Sequence, residues 1–113
     1  MPTKYDCGNT LPDTEYIDLE LKATGSHYTA PANGWFQCTE RHNGTGIGYV
    51  VVENTTTSLS SLCNDSSNKL CRAYVSVKKG DTITVWYGNI NTSDTSSFFR
   101  FIYVKGQSSI IKY

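Results

Sequence analysis

The strongest constraint on the fold comes from residues 73–87, which read AYVSVKKGDTITVWY. Apolar and polar side chains alternate along both halves of this segment, as they do on strands with one buried face. The Lys-Lys-Gly-Asp sequence between the halves includes a glycine, which tolerates a positive φ in a tight turn. The pattern therefore predicts a β-hairpin that buries Val75 and Val85 and leaves its polar positions in water, namely Arg72, Ser76, Thr82 and Thr84.

Other segments show the same strand chemistry. Residues 16–23 alternate and predict a half-buried strand, and the β-branched residues 47–53 predict a strand near the middle of a sheet. Residues 98–105, FFRFIYVK, are apolar on both faces and predict a central or interface strand. Residues 42–46 carry a second hairpin signal. Many short strands with frequent turns predict an all-β, two-sheet jelly-roll sandwich of about eight to ten strands, without a substantial helix.

Length and charge limit the organisation and the partners. The chain has 113 residues, which is enough for one domain, and we expect residues 1–14 to form an arm or linker before a head domain at residues 15–113. The formal net charge is zero and 18% of the residues are charged, so there is no basic surface for nucleic acid. No apolar run reaches the roughly 20 residues of a membrane helix, and the N-terminus lacks the apolar segment of a signal peptide.

The sequence contains no recognisable catalytic constellation. His27 and His42 are the available bases, and we expect both to lie in solvated loops. Asp18 and Glu20 lie at alternate positions on the solvent-exposed face of a predicted strand. We expect them to be surface charges that aid solubility rather than the carboxylate pair of a glycosidase. A binding protein that is not an enzyme and needs no cofactor is the resulting expectation.

The four cysteines leave their chemical state open. They are Cys7, Cys38, Cys63 and Cys71, and no Cys-x-x-Cys pair or histidine spacing suits a metal, so no metal site is expected. Cys63 and Cys71 bracket a polar segment, and a disulfide between them would close a short loop. That bridge would contribute about 2 to 3 kcal/mol. Buried thiols are the alternative, and a reducing cytoplasm would favour them.

An exposed aromatic ring beside polar groups is the arrangement that a saccharide site needs. Trp86 shares a predicted strand face with Thr82 and Thr84, and a loop rich in Asn, Thr and Ser follows it. The candidate ligand-binding residues are therefore Trp86, Asn89, Asn91 and Asp94. Burial of Trp86 in a subunit contact or under a loop is the alternative, and Trp35 is expected in the core.

Three motifs in order resemble a known family. Residues 28–36, YTAPANGWF, are similar to the entry segment of trimeric jelly rolls of the complement-collagen globular head and tumour necrosis factor type. Residues 77–85, VKKGDTITV, resemble the Gly-Asp turn of those domains, and residues 97–103, SFFRFIY, resemble their aromatic closing strand. The residue sequences of the three motifs are similar to those of C-terminal head domains of bacteriophage tail fibres. The resemblance covers residues 28–103, and the N-terminal arm and the cysteine-bearing loop lie outside its pattern.

The resemblance implies a homotrimer that binds a host-surface glycan or protein through its loops, on a virion or another extracellular surface. Since residues 98–104 are apolar on both faces, one face needs a partner. We assign the trimer contact to Phe99, Phe101 and Tyr103. The alternative is a core strand with Phe on one side and a covering loop on the other. A secreted trimeric signalling ligand and a monomeric carbohydrate-binding module are the alternative functions.

Overall fold

The computed structural model of the protein describes residues 12–65 and 69–104. This part of the chain forms nine strands and no helix. The strands are β1 (Pro12–Asp18), β2 (Ser26–Thr29), β3 (Gly34–His42), β4 (Gly48–Asn54), β5 (Leu59–Asp65), β6 (Leu70–Val77), β7 (Thr82–Gly88), β8 (Ile90–Asn91) and β9 (Phe98–Val104). No helix among the described residues is therefore long and apolar enough to cross a membrane.

The strands form two antiparallel sheets that pack face to face. The first sheet has the order β1-β9-β3-β6, with β8 pairing beside the end of β3, and the second has the order β2-β7-β4-β5. Successive strands mostly cross from one sheet to the other, as the strands of a jelly roll do. The predicted all-β jelly-roll sandwich is confirmed.

Both predicted hairpins are wrong in their pairing. β6 pairs with β3 in the first sheet, whereas β7 pairs with β2 and β4 in the second sheet. The turn between β6 and β7 is present, with φ of 91° at Gly80, but it carries the chain from one sheet to the other. The turn after β3 does the same. Alternation and a turn signal locate two strands that each bury one face, and they do not say that the strands pair with each other.

Other strand predictions are confirmed in position and corrected in extent. β4 lies between β7 and β5, and β9 lies between β1 and β3, so both are central as expected. The strand predicted at residues 16–23 instead spans Pro12–Asp18, and Leu19 and Leu21 pack against the core from the following loop. The proposed boundary at residue 14 therefore falls inside β1. Residues 1–11 of the predicted arm lie outside the described residues.

The core fills the space between the sheets with side chains from alternate strand positions. Its fully or nearly fully buried apolar members are Ala30, Phe36, Cys38, Val50, Val52, Cys71, Ala73, Val75, Val77, Ile83, Val85, Phe99, Phe101 and Tyr103. Close packing at one point requires a glycine. A Cβ atom on Gly34 would lie 2.3 Å from the carbonyl oxygen of Ile102 and 2.4 Å from Cζ of Phe101. Gly34 in the entry motif therefore lets β3 begin against β9.

Candidate functional site

The sandwich has two distinct ends. At one end Pro12 pairs with Val104 and Gly34 pairs with Tyr103. We call this end the base. At the other end lie the loop at residues 43–47 and the segment at residues 89–97, which we call the tip loops. The tip loops therefore stand a full strand length away from the place where β1 begins.

The tip loops are joined to each other by hydrogen bonds. The backbone N–H of Asn43 donates to the carbonyl oxygen of Asn89 at 3.0 Å, and the side-chain amide of Asn89 donates to the carbonyl oxygen of Ile47 at 3.0 Å. His42 lies beneath the first loop, with Nε2 at 3.0 and 2.9 Å from the carbonyl oxygens of Thr45 and Gly46. His42 is 1% exposed, so its expected place in a solvated loop is wrong. It shapes a loop and does not face a substrate.

Asn91 and Asp94 lie together at the tip. Asn91 pairs with Arg41 at the end of β3, and the carboxylate Oδ2 of Asp94 accepts a hydrogen bond of 3.2 Å from Nε of Arg41. The backbone N–H of Ser96, at 2.9 Å, and the Arg41 guanidinium lower the pKa of the Asp94 carboxyl. Asp94 therefore remains an anion at neutral pH. It offers a fixed acceptor group at the surface.

Trp86 projects from the outer face of the second sheet, apart from the Arg41–Asp94 pair. Its indole is 36% exposed and stands over Gly25, where an added Cβ would lie 3.7 Å from Nε1. Trp86 on β7 pairs with Val51 on β4. On its other side Val51 pairs with the exposed Leu62 on β5. Thr84 shares this face but is 1% exposed, because the ring of His27 covers it with a 2.7 Å contact to its hydroxyl. The prediction that Thr84 stays in water is thus wrong.

The predicted trimer-contact residues are not at the surface. Phe99, Phe101 and Tyr103 are 3%, 0% and 3% exposed, and they form part of the sandwich core. Their assignment to an interface is wrong because the alternate residues of β9 face outward instead. The ring of Phe101 packs edge-on against those of Phe36 and Tyr103.

The outer face of the first sheet is rich in aromatic side chains. Alternation and register place one set of residues together there, which we call the aromatic face, and it consists of Tyr16, Trp35, Tyr74, Phe98, Arg100 and Ile102. Tyr16 is 46% exposed and Tyr74 is 55% exposed. Trp35 is half-buried on this face beside Tyr74, with ring centroids 5.8 Å apart, so its expected place in the core is wrong.

Arg100 contacts two rings of the aromatic face. Its guanidinium carbon is 4.0 Å from the ring centroid of Tyr16 and 3.9 Å from that of Phe98, and Asp18 lies 3.4 Å from one of its terminal nitrogens. A guanidinium stacks well on aromatic rings because it is planar and weakly hydrated. The sheet thus holds a cation in an apolar surface.

Three polar atoms of the same face are shielded from water without a hydrogen-bond partner among the described residues. They are Nε1 of Trp35, Oγ1 of Thr39 and Nε of Arg100. Such a group loses its hydrogen bonds to water and gains none from the protein, which costs about 1 to 3 kcal/mol for each. The three atoms are out of reach of water and of a partner that docks on the surface.

A buried carboxyl lies behind the tip. Glu40 is 2% exposed on the inner side of β3, and the Cys38 thiol donates to its Oε2 at 3.6 Å. Burial raises the pKa of the Glu40 carboxyl to about 7, while contacts with Ser97 and Cys38 oppose that rise. Burial also raises the pKa of the Cys38 thiol, and the Glu40 carboxyl raises it further. Neither group faces solvent, so neither is placed to act on a substrate.

No disulfide joins Cys63 to Cys71 in the structure. Cys63 lies on β5 in the second sheet, and Cys71 lies on β6 in the first sheet with no exposed surface. The disulfide between Cys63 and Cys71 stays a prediction that a thiol titration can test. Within residues 12–65 and 69–104, no group of three or more His, Cys, Asp or Glu side chains could hold a metal ion.

Sequence reasoning missed two unusual environments in the described part of the chain, those of Glu40 and Arg100. In the sequence Glu40 resembles a solvated carboxylate at the end of a strand. Alternation from Phe36 through Cys38 instead places its side chain on the inner face of β3. Arg100 interrupts an apolar run, and its spacing from Phe98 and Ile102 was the available signal that these three share the outer face. No model of a known protein family matches this chain, and no curated protein matches it in sequence.

Proposed function

We propose that this domain is a non-enzymatic receptor-binding head of a bacteriophage tail fibre or a similar surface adhesin. It associates with two further copies of itself and presents the tip loops to a host-surface glycan or protein. The observation that carries the proposal is the aromatic face, with the exposed rings of Tyr16 and Tyr74.

The chemistry of the aromatic face favours a protein partner over water. Exposed aromatic rings and a stacked arginine are enriched in the centres of subunit interfaces. Tyr16 and Tyr74 expose about half of their side-chain surface on this face, where a neighbouring copy would cover them. Strands β1, β9, β3 and β6 all contribute side chains to this face.

The arrangement of the two ends supports adhesion. Association through the first sheet leaves the tip loops and the outer face of the second sheet accessible. Asn89, Asn91 and Asp94 provide amide and carboxylate groups at the tip, and Trp86 provides an aromatic surface on the second sheet. Sugars bind through their CH faces to aromatic rings and through their hydroxyl groups to amides and carboxylates.

Three weak sites on one rigid head gain affinity through effective concentration. We therefore expect the Tyr74→Glu variant, with a charge in the aromatic face, to become monomeric and to lose about 100-fold or more in apparent affinity for an immobilised host-cell glycan panel. Leu59→Glu is the matched control, since Leu59 is exposed at 56% on the edge strand of the other sheet and pairs with Asn54, away from Trp86 and the tip loops. Equal binding by both variants and the wild-type protein would contradict the proposal.

A monomeric carbohydrate-binding module is the second candidate, and the exposed indole of Trp86 is the observation that favours it. An aromatic plate of this kind binds a sugar without any self-association. Under this alternative the Tyr74→Glu variant would keep its affinity, whereas Trp86→Ala would lose it.

A further inference from the structure

The loop at residues 43–47 contains Asn43-Gly44, one of the two Asn-Gly pairs in the sequence. In such a pair the backbone nitrogen of the glycine can attack the side-chain amide carbon of the asparagine. The chain itself keeps the two atoms a few bonds apart, and glycine has no Cβ atom to block the approach. A base for the glycine N–H and donors for the amide oxygen would each accelerate the attack.

His42 presents a ring nitrogen that accepts a hydrogen bond from Gly44. Its Nε2 lies 3.0 and 2.9 Å from the carbonyl oxygens of Thr45 and Gly46, and carbonyl oxygens only accept hydrogen bonds. In the neutral ring the proton therefore sits on Nε2, and Nδ1 is the acceptor. The backbone N–H of Gly44 donates to this Nδ1 at 3.4 Å, a long contact of the kind that a general base often makes before reaction.

Thr45 holds the oxygen of the amide that would be attacked. Its backbone N–H donates to Oδ1 of Asn43 at 2.9 Å, and its hydroxyl donates to the same oxygen at 2.8 Å. Since a backbone N–H only donates, the amide atom in this position is the oxygen, and Nδ2 is the group that can leave. Attack on Cγ places negative charge on Oδ1, where the two donors stabilise it.

We propose that Asn43 is a site of self-catalysed deamidation, with the Gly44 nitrogen as the nucleophile and His42 as the base. The Gly44 nitrogen gives up its proton and forms a bond to Cγ of Asn43. The bond from Cγ to Nδ2 breaks, and Nδ2 takes up one proton and leaves as ammonia. Water then opens the succinimide ring at either carbonyl, which yields aspartate or isoaspartate, and no other reagent is needed.

The products alter the tip loops at the point where the two loops join. The backbone N–H of Asn43 donates to the carbonyl oxygen of Asn89 in the other loop. Aspartate adds a negative charge there, and isoaspartate also lengthens the backbone by one carbon within the turn over His42. The structure of the tip loops therefore changes with the age of the protein. Its effect on receptor binding rests on the proposed function, whereas the chemistry does not.

Asn33-Gly34 is a matched control in the same chain. The residue before it is Ala32, where the loop has His42 before Asn43. Gly34 is buried and pairs with Val77 on one side and with Tyr103 on the other. Ring closure at Asn33 would pull the start of β3 out of this pairing, so the fold should protect this pair.

The test is peptide mass spectrometry of the purified protein during incubation near neutral pH, with aspartate and isoaspartate peptides separated by chromatography. We expect Asn43 to convert at least as fast in the folded protein as in urea. Asn33 should convert about tenfold or more slowly in the folded protein than in urea, because only the unfolded chain frees it. Slower conversion of Asn43 in the folded protein than in urea would overturn the proposal.

A pair of Thr45 variants tests the oxygen donors. Thr45→Val keeps the shape and the backbone N–H but lacks the hydroxyl, and it should slow conversion of Asn43 about tenfold or more. Thr45→Ser keeps the hydroxyl and should stay within about threefold of the wild-type rate. Equal rates in Thr45→Val and the wild-type protein would contradict the proposal.

His42→Gln tests the base. Glutamine keeps a donor for the loop carbonyl oxygens without the basic nitrogen, and conversion of Asn43 should slow about tenfold or more. Conversion at Asn33 monitors the fold in every variant, and if it rises in His42→Gln, the Thr45 pair decides. A wild-type rate at Asn43 with an unchanged rate at Asn33 would contradict the role of His42. None of these readouts requires a receptor or a trimer, so failure of the proposed function would leave them unchanged.

Discussion

Asn54 at the end of β4 donates a 2.9 Å hydrogen bond from Nδ2 to Oδ2 of Asp81, which stands immediately before β7. The same amide donates to the carbonyl oxygen of Ser76, and its Oδ1 accepts from the backbone N–H groups of Thr56 and Thr57. Asn54 has no exposed surface. One buried side chain thus connects the β4–β5 hairpin to the turn that carries the chain from the first sheet to the second.

Asn54→Ala should therefore destabilise the fold. The substitution leaves backbone groups of Ser76, Thr56 and Thr57 without this partner and removes one of the hydrogen bonds to the Asp81 carboxylate, which keeps the one from the Lys78 N–H. We expect the free energy of unfolding to fall by about 2 to 3 kcal/mol. Urea unfolding followed by tryptophan fluorescence measures the change. Asn64→Ala is the matched control on the exposed part of β5, and it should stay within about 0.5 kcal/mol of the wild-type value. Equal effects would show that the Asn54 contacts do not stabilise the fold.

Phe101→Ala tests which side of β9 faces the core. Phe101 has no exposed surface, so the substitution should leave a cavity and lower the free energy of unfolding by about 3 to 5 kcal/mol. Leu59→Ala removes a side chain that is 56% exposed and should have little effect. Both variants are compared at one protein concentration, since self-association would add to the apparent stability. A small effect of Phe101→Ala would contradict the assignment of Phe101 to the core.

Fold class was accessible from the sequence because strand alternation and turn residues are local signals. Ile83 and Val85 alternate with Thr82 and Thr84 whichever strand lies beside them. Pairing is a long-range property, and that is why β6 and β7 looked like a hairpin although they belong to different sheets. In β9 both faces are apolar, so the sequence alone did not decide which face points outward.

Stability should depend on pH through Glu40. Its pKa is raised from an ordinary 4.5 to about 7 in the folded state, so between these values the folded protein binds a proton that the unfolded chain does not. The contribution of Glu40 to the free energy of unfolding should therefore be fully present below about pH 4.5 and should fall by about 2 to 3 kcal/mol as the pH rises to about 7. Urea unfolding at several pH values measures this slope.

Glu40→Gln should remove that slope because the amide does not titrate. Glu53→Gln, a change on the outer face of β4, should retain it. If the wild-type protein and Glu40→Gln gave parallel stability profiles over this range, Glu40 would not be the group responsible.

Trp86→Ala should weaken binding to host cells or to their glycans without changing the mass of the assembly. The reason is that the indole is exposed on the second sheet, away from the aromatic face of the first sheet. Trp86→Phe retains a flat ring and should keep a large part of the affinity. Flow cytometry with labelled protein compares the three forms, and undiminished binding by Trp86→Ala would exclude Trp86 from the receptor site.

The candidate site was only partly visible in the sequence. Asn89, Asn91 and Asp94 were found because polar loop residues follow a strand, and they do lie at one end of the sandwich. Arg41, which holds Asp94, was missed because a contact between residues so far apart in the chain leaves no local pattern. The aromatic face draws on four strands, and it becomes visible when their register is known.

The central claim is self-association through the aromatic face, and the solution mass of the purified chain tests it most directly. Size-exclusion chromatography with light scattering should give three times the mass of one chain for the wild-type protein and for Leu59→Glu. It should give the mass of one chain for Tyr74→Glu. A wild-type mass equal to one chain would contradict the account, and the aromatic face would then need a different cover.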